Sequence, residues 1–276
     1  MQTSGLHRYS MAVAALTLLV VITGAVVTSS QRETPVSSTP EQQIHLWMAA
    51  AVSLLTIGLA FRLSRVADHP WFGKLGWSAL GLVIVQAAIG ILAPSAAAVH
   101  AVLAQVFFGL TVAIAVLTST EWSGKPELID DQMRPPMPML ADITLALVLV
   151  QIMLGAAVRH KLLGAISHIG FAIIVALVAL LLGMCVLHQA PQHRRLRPAA
   201  VHLLVIVGVQ VFLGFGAFIL ELMMAETALA VVIVTAAHVT TAALVLGSTV
   251  LLDLEIHRYM KAGLPQREAA RPTVAN

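Results

Sequence analysis

The sequence predicts an all-α membrane protein: eight transmembrane helices arranged as two pseudo-repeated four-helix bundles. Three observations carry this expectation. Of the 276 residues, 59% are hydrophobic and 11% charged, with a mean hydropathy of +0.91, so lipid is the natural solvent for most of the chain. Apolar runs long enough to cross hydrocarbon, roughly 20 residues each, occur eight times. A polar break near the middle divides them evenly, and a short Val-Gln motif recurs on both sides of it.

The first run, 9–29, follows His7 and Arg8 as in a signal peptide. It exceeds the usual apolar core of such a peptide, roughly 7 to 15 residues, and is expected to be a retained helix. Runs at 43–61, 75–93 and 97–119 complete a first bundle within residues 1–120. The segment 121–137 is acidic, closes on Pro135 and Pro136, and is expected to be a cytoplasmic linker. Runs at 138–158, 162–187, 199–222 and 227–252 form a second bundle within 138–256, and 257–276 is expected to be a disordered tail. Helices are preferred to barrel strands because the runs lack period-two alternation and must satisfy their backbone internally.

With the N-terminus inside, thirteen of the 16 Lys and Arg residues fall in inner segments, and Arg32, Arg159 and Lys161 fall outside. The positive-inside rule then places both termini in the cytoplasm of a multi-pass inner (plasma) membrane protein. The net charge of +3 therefore follows topology and calls for no nucleic-acid partner. Cys185 is the sole cysteine, which excludes an intramolecular disulfide and leaves redox chemistry to a bound cofactor.

Val85-Gln86, Val150-Gln151 and Val209-Gln210 are each followed by a glycine, Gly90, Gly155 and Gly214, four residues after the glutamine. Gly24 takes the same place in the first span without a glutamine. Such glycines permit close helix approach and the amides can bond across helices, which is compatible with their also facing a cofactor.

Most of the 11 histidines sit near span ends. His45, His100, His168 and His238 instead lie one in each even-numbered span, at similar depth toward the outer side. A single intramembrane histidine is more often a hydrogen-bonded interior residue than a ligand. Four at matched depth are costly enough to suggest function. Two even helices facing each other across a bundle would supply paired imidazoles, the axial ligation of a low-spin b-type haem. Ala49, Ala104, Ala172 and Ala242 follow these histidines by four residues and leave room on the same helical face. Zinc or copper would call for Cys or carboxylate ligands in tighter spacing. Asp142 is the only acid expected well inside a span, too few for a proton relay. Glu221 and Glu226 are expected to be interfacial.

The segments LHRYSMAVAALTLLVVITGAVVTSS, VQAAIGILAPSAAAVHAVLAQVFFGL, LVLVQIMLGAAVRHKLLGAISHIGFAII and AAHVTTAALVLG resemble helices of CtaA-type haem A synthases, the cytochrome oxidase assembly proteins. The resemblance spans residues 6–255. It implies haem b in the C-terminal bundle on His168 and His238, and haem O as substrate in the N-terminal bundle on His45 and His100. The implied reaction oxidises a haem O ring methyl to the formyl of haem A, with iron as the bound metal. Gln86, Gln151 and Gln210 would border these groups. Arg32, Arg159 and Lys161 would face the propionates. The family motif before the first histidine resembles E-x-x-H-R, whereas this chain reads Glu41-Gln42-Gln43-Ile44-His45-Leu46. Gln42 thus takes the acid's position, with Glu41 about 100° away around the helix, and these two are the candidate catalytic residues. An amide hydrogen-bonds but cannot exchange a proton as a carboxylate does. The outer-loop cysteine pair of many members is also missing.

Three functions remain open at this level: a haem A synthase, a non-catalytic haem-binding relative or oxidase assembly factor, and a bis-histidine membrane electron carrier. Expected partners are haem O or another porphyrin, membrane lipid, and a haem O synthase or oxidase subunits.

Overall fold

The computed structural model describes residues 4–30, 39–226 and 228–262. Among them, eight helices are long and apolar enough to cross a membrane. They are α1 (Ser4–Ser30), α2 (Pro40–Ser64), α3 (Trp71–Leu92), α4 (Ala97–Leu117), α5 (Met137–Arg159), α6 (Ala165–Gln189), α7 (Leu196–Met223) and α8 (Leu229–Tyr259). The chain is therefore a multi-pass membrane protein.

The helix ends depart from the apolar runs in an informative way. Hydropathy marks the hydrocarbon slab, whereas a helix continues for as long as its backbone is bonded. Thus α1 begins before residue 9, and α8 continues past 252 through Asp253, Glu255, His257 and Arg258 to Tyr259. At the other extreme, α6 starts at Ala165 rather than 162, because the preceding helix ends in a Schellman turn. There Leu162 N–H reaches the Ala157 carbonyl at 2.8 Å and Lys161 N–H the Val158 carbonyl at 2.9 Å, with Lys161 at φ 59°. The tail expected from 257 is ordered to 262: Met260–Ala262 (β2) pairs in parallel with Ile129–Asp131 (β1) of the linker. Residues 263–276 lie outside the described residues, as does Arg32.

Each set of four helices closes a ring. α1 packs on α2 and α4 while α3 completes the circuit; α5 to α8 repeat the arrangement. The rings meet along a seam where α8 touches α1 and α4, and α4 touches α5. Each ring has its own core, one around Leu59, Phe72, Phe107 and Ile114, the other around Leu182, Leu196, Leu203 and Ile256. Hydroxyls inside the helices are satisfied locally: Thr17, Thr56, Thr144 and Thr249 each donate to the carbonyl four residues earlier at 2.7–2.8 Å. That bond makes a buried hydroxyl tolerable in lipid.

One end of the molecule carries the linker and both strands and is called the linker face. Here Glu121 and Glu255 both take hydrogen bonds from Arg195, and Arg258 donates to the carbonyls of Glu121, Trp122 and Gly124. Asp131 accepts the backbone N–H of Met133 and of Met137, holding the start of α5. The opposite end carries the four histidines of the even helices and is called the histidine face.

Candidate functional site

Each histidine of the even helices lies against the preceding odd helix on a glycine. A Cβ built on Gly24 would lie 3.0 Å from His45 Cε1, on Gly90 2.9 Å from His100 Cε1, on Gly155 3.0 Å from His168 Cε1, and on Gly214 2.8 Å from His238 Cε1. At Gly90 and Gly214 the contact is closer than real Cβ atoms approach, and at Gly24 and Gly155 it would oblige the ring to give by a few tenths of an ångström, so the glycines are the seats of the rings. The sequence reading assigned them to close helix approach; the structure adds that what approaches is an imidazole. A signal was present, since every odd span holds one such glycine and every even span one such histidine.

His100 also hydrogen-bonds the backbone carbonyl of Gln86, four residues before its glycine, and the Gln210 carbonyl holds the equivalent place before Gly214. The His100 Nδ1 to Gln86 carbonyl distance is 2.8 Å. With an N–H on Nδ1, such a bond fixes the tautomer and leaves Nε2 as a free lone pair, the arrangement a metal-ligating imidazole needs. His45 Nδ1 also lies 3.1 Å from Thr23 Oγ1, the polar neighbour in the one odd helix without a glutamine. The Gln151 amide is 3.0 Å from His168 Nδ1, and the Gln210 amide is 3.4 Å from His238 Nε2. His238 Nδ1 lies outside hydrogen-bond geometry with its carbonyl and is left without a partner, as are the Oε1 atoms of Gln86, Gln151 and Gln210. Buried polar atoms rarely stay unpaired, so these three amides and one ring nitrogen mark places built to face something else.

The pairing across each bundle follows the helix order. His168 and His238 face one another with ring centres 6.3 Å apart and planes at 88°. An imidazole binds a metal at about 2 Å, which puts its ring centre about 3 Å from the ion and two opposed rings about 6 Å apart. In the other bundle, His45 and His100 hold the equivalent places on α2 and α4, each on its own glycine. Ala49, Ala104, Ala172 and Ala242 are partly buried on the faces beneath the rings.

Gln42 lies half-buried, three residues before His45 on the same helical face, with its backbone N–H capped by Thr39 Oγ1 at 3.3 Å. Glu41 is exposed in the first turn of α2. Arg159 donates to the Ala25 carbonyl and to Ser29 of α1, and Lys161 pairs with Glu226 at 3.5 Å. Asp142 is not deep in the bundle; it is exposed near the linker face, where its carboxylate, Asp253 and His257 lie within 4.8 Å of one another. His257 sits 3.6 Å from each acid, which accounts for the cluster as ion pairing. A cavity of about 310 Å³ lined by Glu127, Gln189 and His193 also opens at the linker face. It is remote from the imidazoles: Gln189 and His168 end the same helix, about 30 Å apart along its axis.

No known family profile, characterised protein or solved structure matches this chain. The reading of the site therefore rests on its chemistry. Nitrogen donors, tight glycine seats, small residues beneath the rings and unpaired amide oxygens fit a planar, largely apolar group held on opposed imidazoles.

Proposed function

We propose that the chain is a haem-binding membrane oxidoreductase of the haem A synthase type, working in the plasma membrane with both termini cytoplasmic. The observation that carries this reading is the 6.3 Å separation of the His168 and His238 rings, each seated on a glycine. In this reading His168 and His238 hold haem b, and His45 and His100 hold the substrate haem O. When bound, haem b would supply a one-electron couple in the C-terminal bundle, and haem O would present the ring methyl to be oxidised in the N-terminal bundle.

The protein's own contribution is positional. The glycine seats hold all four rings, and Nδ1 contacts orient those of His45, His100 and His168. Gln86, Gln151 and Gln210 offer amide donors and acceptors to the edge of the bound group. Gln42 and Glu41 precede His45 by three and four residues, within one turn of its helical face, and are the side chains from which a reacting group there could be oriented. Both propionate recognition and product handover imply partners, namely a haem O synthase and subunits of an oxidase.

A second reading is favoured by one observation: Gln42, on the His45 face, cannot exchange protons, and Glu41 is exposed. The chain would then bind haem without oxidising it, as an assembly factor. The two readings separate when the protein is produced together with a haem O synthase in a host lacking haem A and the extracted haems are resolved by chromatography. Synthase activity yields haem A. Unchanged haem O from folded, haem-loaded protein rejects catalysis and leaves the binding role.

A further inference from the structure

The seam between the bundles carries a chain of hydrogen bonds that starts at a cation and ends one turn from His238. Arg159, in the last turn of α5, donates to the Ala25 carbonyl of α1 at 3.0 Å and to the Ser29 hydroxyl. Ser29 is 2% exposed, and its Oγ lies 3.3 Å from Thr235 Oγ1 on α8, which is itself 6% exposed. Thr235 donates to the Val231 carbonyl at 2.6 Å. Ser29 itself donates to the Ala25 carbonyl at 2.7 Å, so Arg159, Ser29 and Thr235 form one contiguous polar cluster that joins α5, α1 and α8. Three residues after Thr235, one turn along α8, comes His238. On the neighbouring side, Gln105 of α4, 5% exposed, donates to the Val239 carbonyl at 3.3 Å. The turn of α8 that bears His238 is thus gripped from the other bundle on both flanks.

We propose that Arg159 is a positioning residue that sets the reduction potential of the group held by His168 and His238 while fastening α8 to α1. This deepens the haem reading and rests on it. The physical basis is the fixed cation. A guanidinium remains charged at any working pH, and in a low-dielectric setting its field reaches the ligand pair with little screening. A fixed positive charge favours the reduced iron, which carries one positive charge fewer, and so raises the potential. The arginine bonds to the carbonyl and hydroxyl of α1, and this anchoring keeps that charge at constant distance from His238. Its role is to bridge the bundles, whereas the sequence alone suggested a residue turned to the outer rim.

The test is a spectroelectrochemical titration of the purified full-length protein and of Arg159→Gln, Arg159→Lys and Ser29→Ala. The low-spin component of Arg159→Gln is expected to titrate at lower potential than wild type, with Arg159→Lys returning most of the shift. A wild-type potential in haem-loaded Arg159→Gln overturns the inference. If Arg159→Gln is recovered without haem, Ser29→Ala decides: it keeps the charge but releases its anchor. Its potential is expected to fall by less than that of Arg159→Gln would, and no change overturns the inference. Wild-type protein without a haem spectrum would instead reject the haem reading itself, so the two failures are distinct.

Discussion

Gly214 shows how much of the site depends on a missing side chain. His238 is seated so closely that one added methyl would lie 2.8 Å from its Cε1, and overpacking of this kind costs about 1–3 kcal/mol where a group cannot move aside. Gly208, less than two turns earlier on α7, has nothing within 4 Å of the same hypothetical atom. Gly214→Ala is therefore expected to lose most of the bound chromophore of the purified protein, while Gly208→Ala keeps it. Equal retention by both variants would mean that the glycine does not seat a ligating ring. The histidines themselves were legible as residues, because an ionisable group in each alternate apolar run stands out. Their glycine partners were visible only as a repeat, since the contact is made between helices and sequence spacing gives no distance across a bundle. Glu41 and Gln42 were legible as a departure from a motif; both lie within one turn before His45, and the structure adds that Gln42 is half-buried whereas Glu41 is exposed.

Between α6 and α7 the chain turns on a histidine that the sequence offered no reason to notice. His193 Nδ1 accepts the backbone N–H groups of Arg195 and Leu196 at 3.3 and 3.1 Å, satisfying donors that the first turn of α7 would otherwise leave free. Burial holds the His193 imidazole below its usual value of 6.5; Arg195 pushes the same way, and Glu255 and Glu127 oppose it. A depressed folded value means that the unfolded state takes up the proton first. The stabilisation is therefore present above about pH 6.5 and is lost as the pH falls through the lower folded value. Protonation also removes the Nδ1 acceptor itself. The hydrogen-exchange protection factor at the start of α7, taken relative to the intrinsic rate at each pH, is accordingly expected to fall on going from pH 7.5 to acid, by an amount set by a cap worth about 1 kcal/mol. His193→Asn, which keeps an acceptor but does not titrate, is expected to flatten that response; an unchanged pH profile would remove the cap from the account. The helices were readable from hydropathy, but their ends were not. Lys161 in the left-handed region and the charged extension of α8 depend on hydrogen bonding that hydropathy does not see.

At the level of the whole molecule, two rings of four helices are fastened at both ends of their seam. The linker face uses Arg195 between Glu121 and Glu255, Arg258 over Trp122, and the β1–β2 pair; the histidine face uses Arg159 and Gln105. Glu255 is 1% exposed, and its carboxylate pairs with Arg195 at 2.6 Å. The four-and-four division was legible because the polar break interrupts the apolar runs. The fastening was not, since Arg195 and Glu121 are separated by 74 residues and Arg159 and Ala25 by 134. The linker also proved to be structured, because its Asp131 holds the start of α5 and its strand finds a partner just beyond α8.

The central claim is that opposed imidazoles grip porphyrin iron in the C-terminal bundle. The most direct measurement is the reduced-minus-oxidised absorption spectrum, with iron content per chain, of purified wild-type protein beside His168→Ala and His238→Ala. The account expects a low-spin b-type spectrum in the wild type and its loss in both variants, with the chain still folded and membrane-inserted. Retention of the full spectrum and iron content in both variants would contradict it.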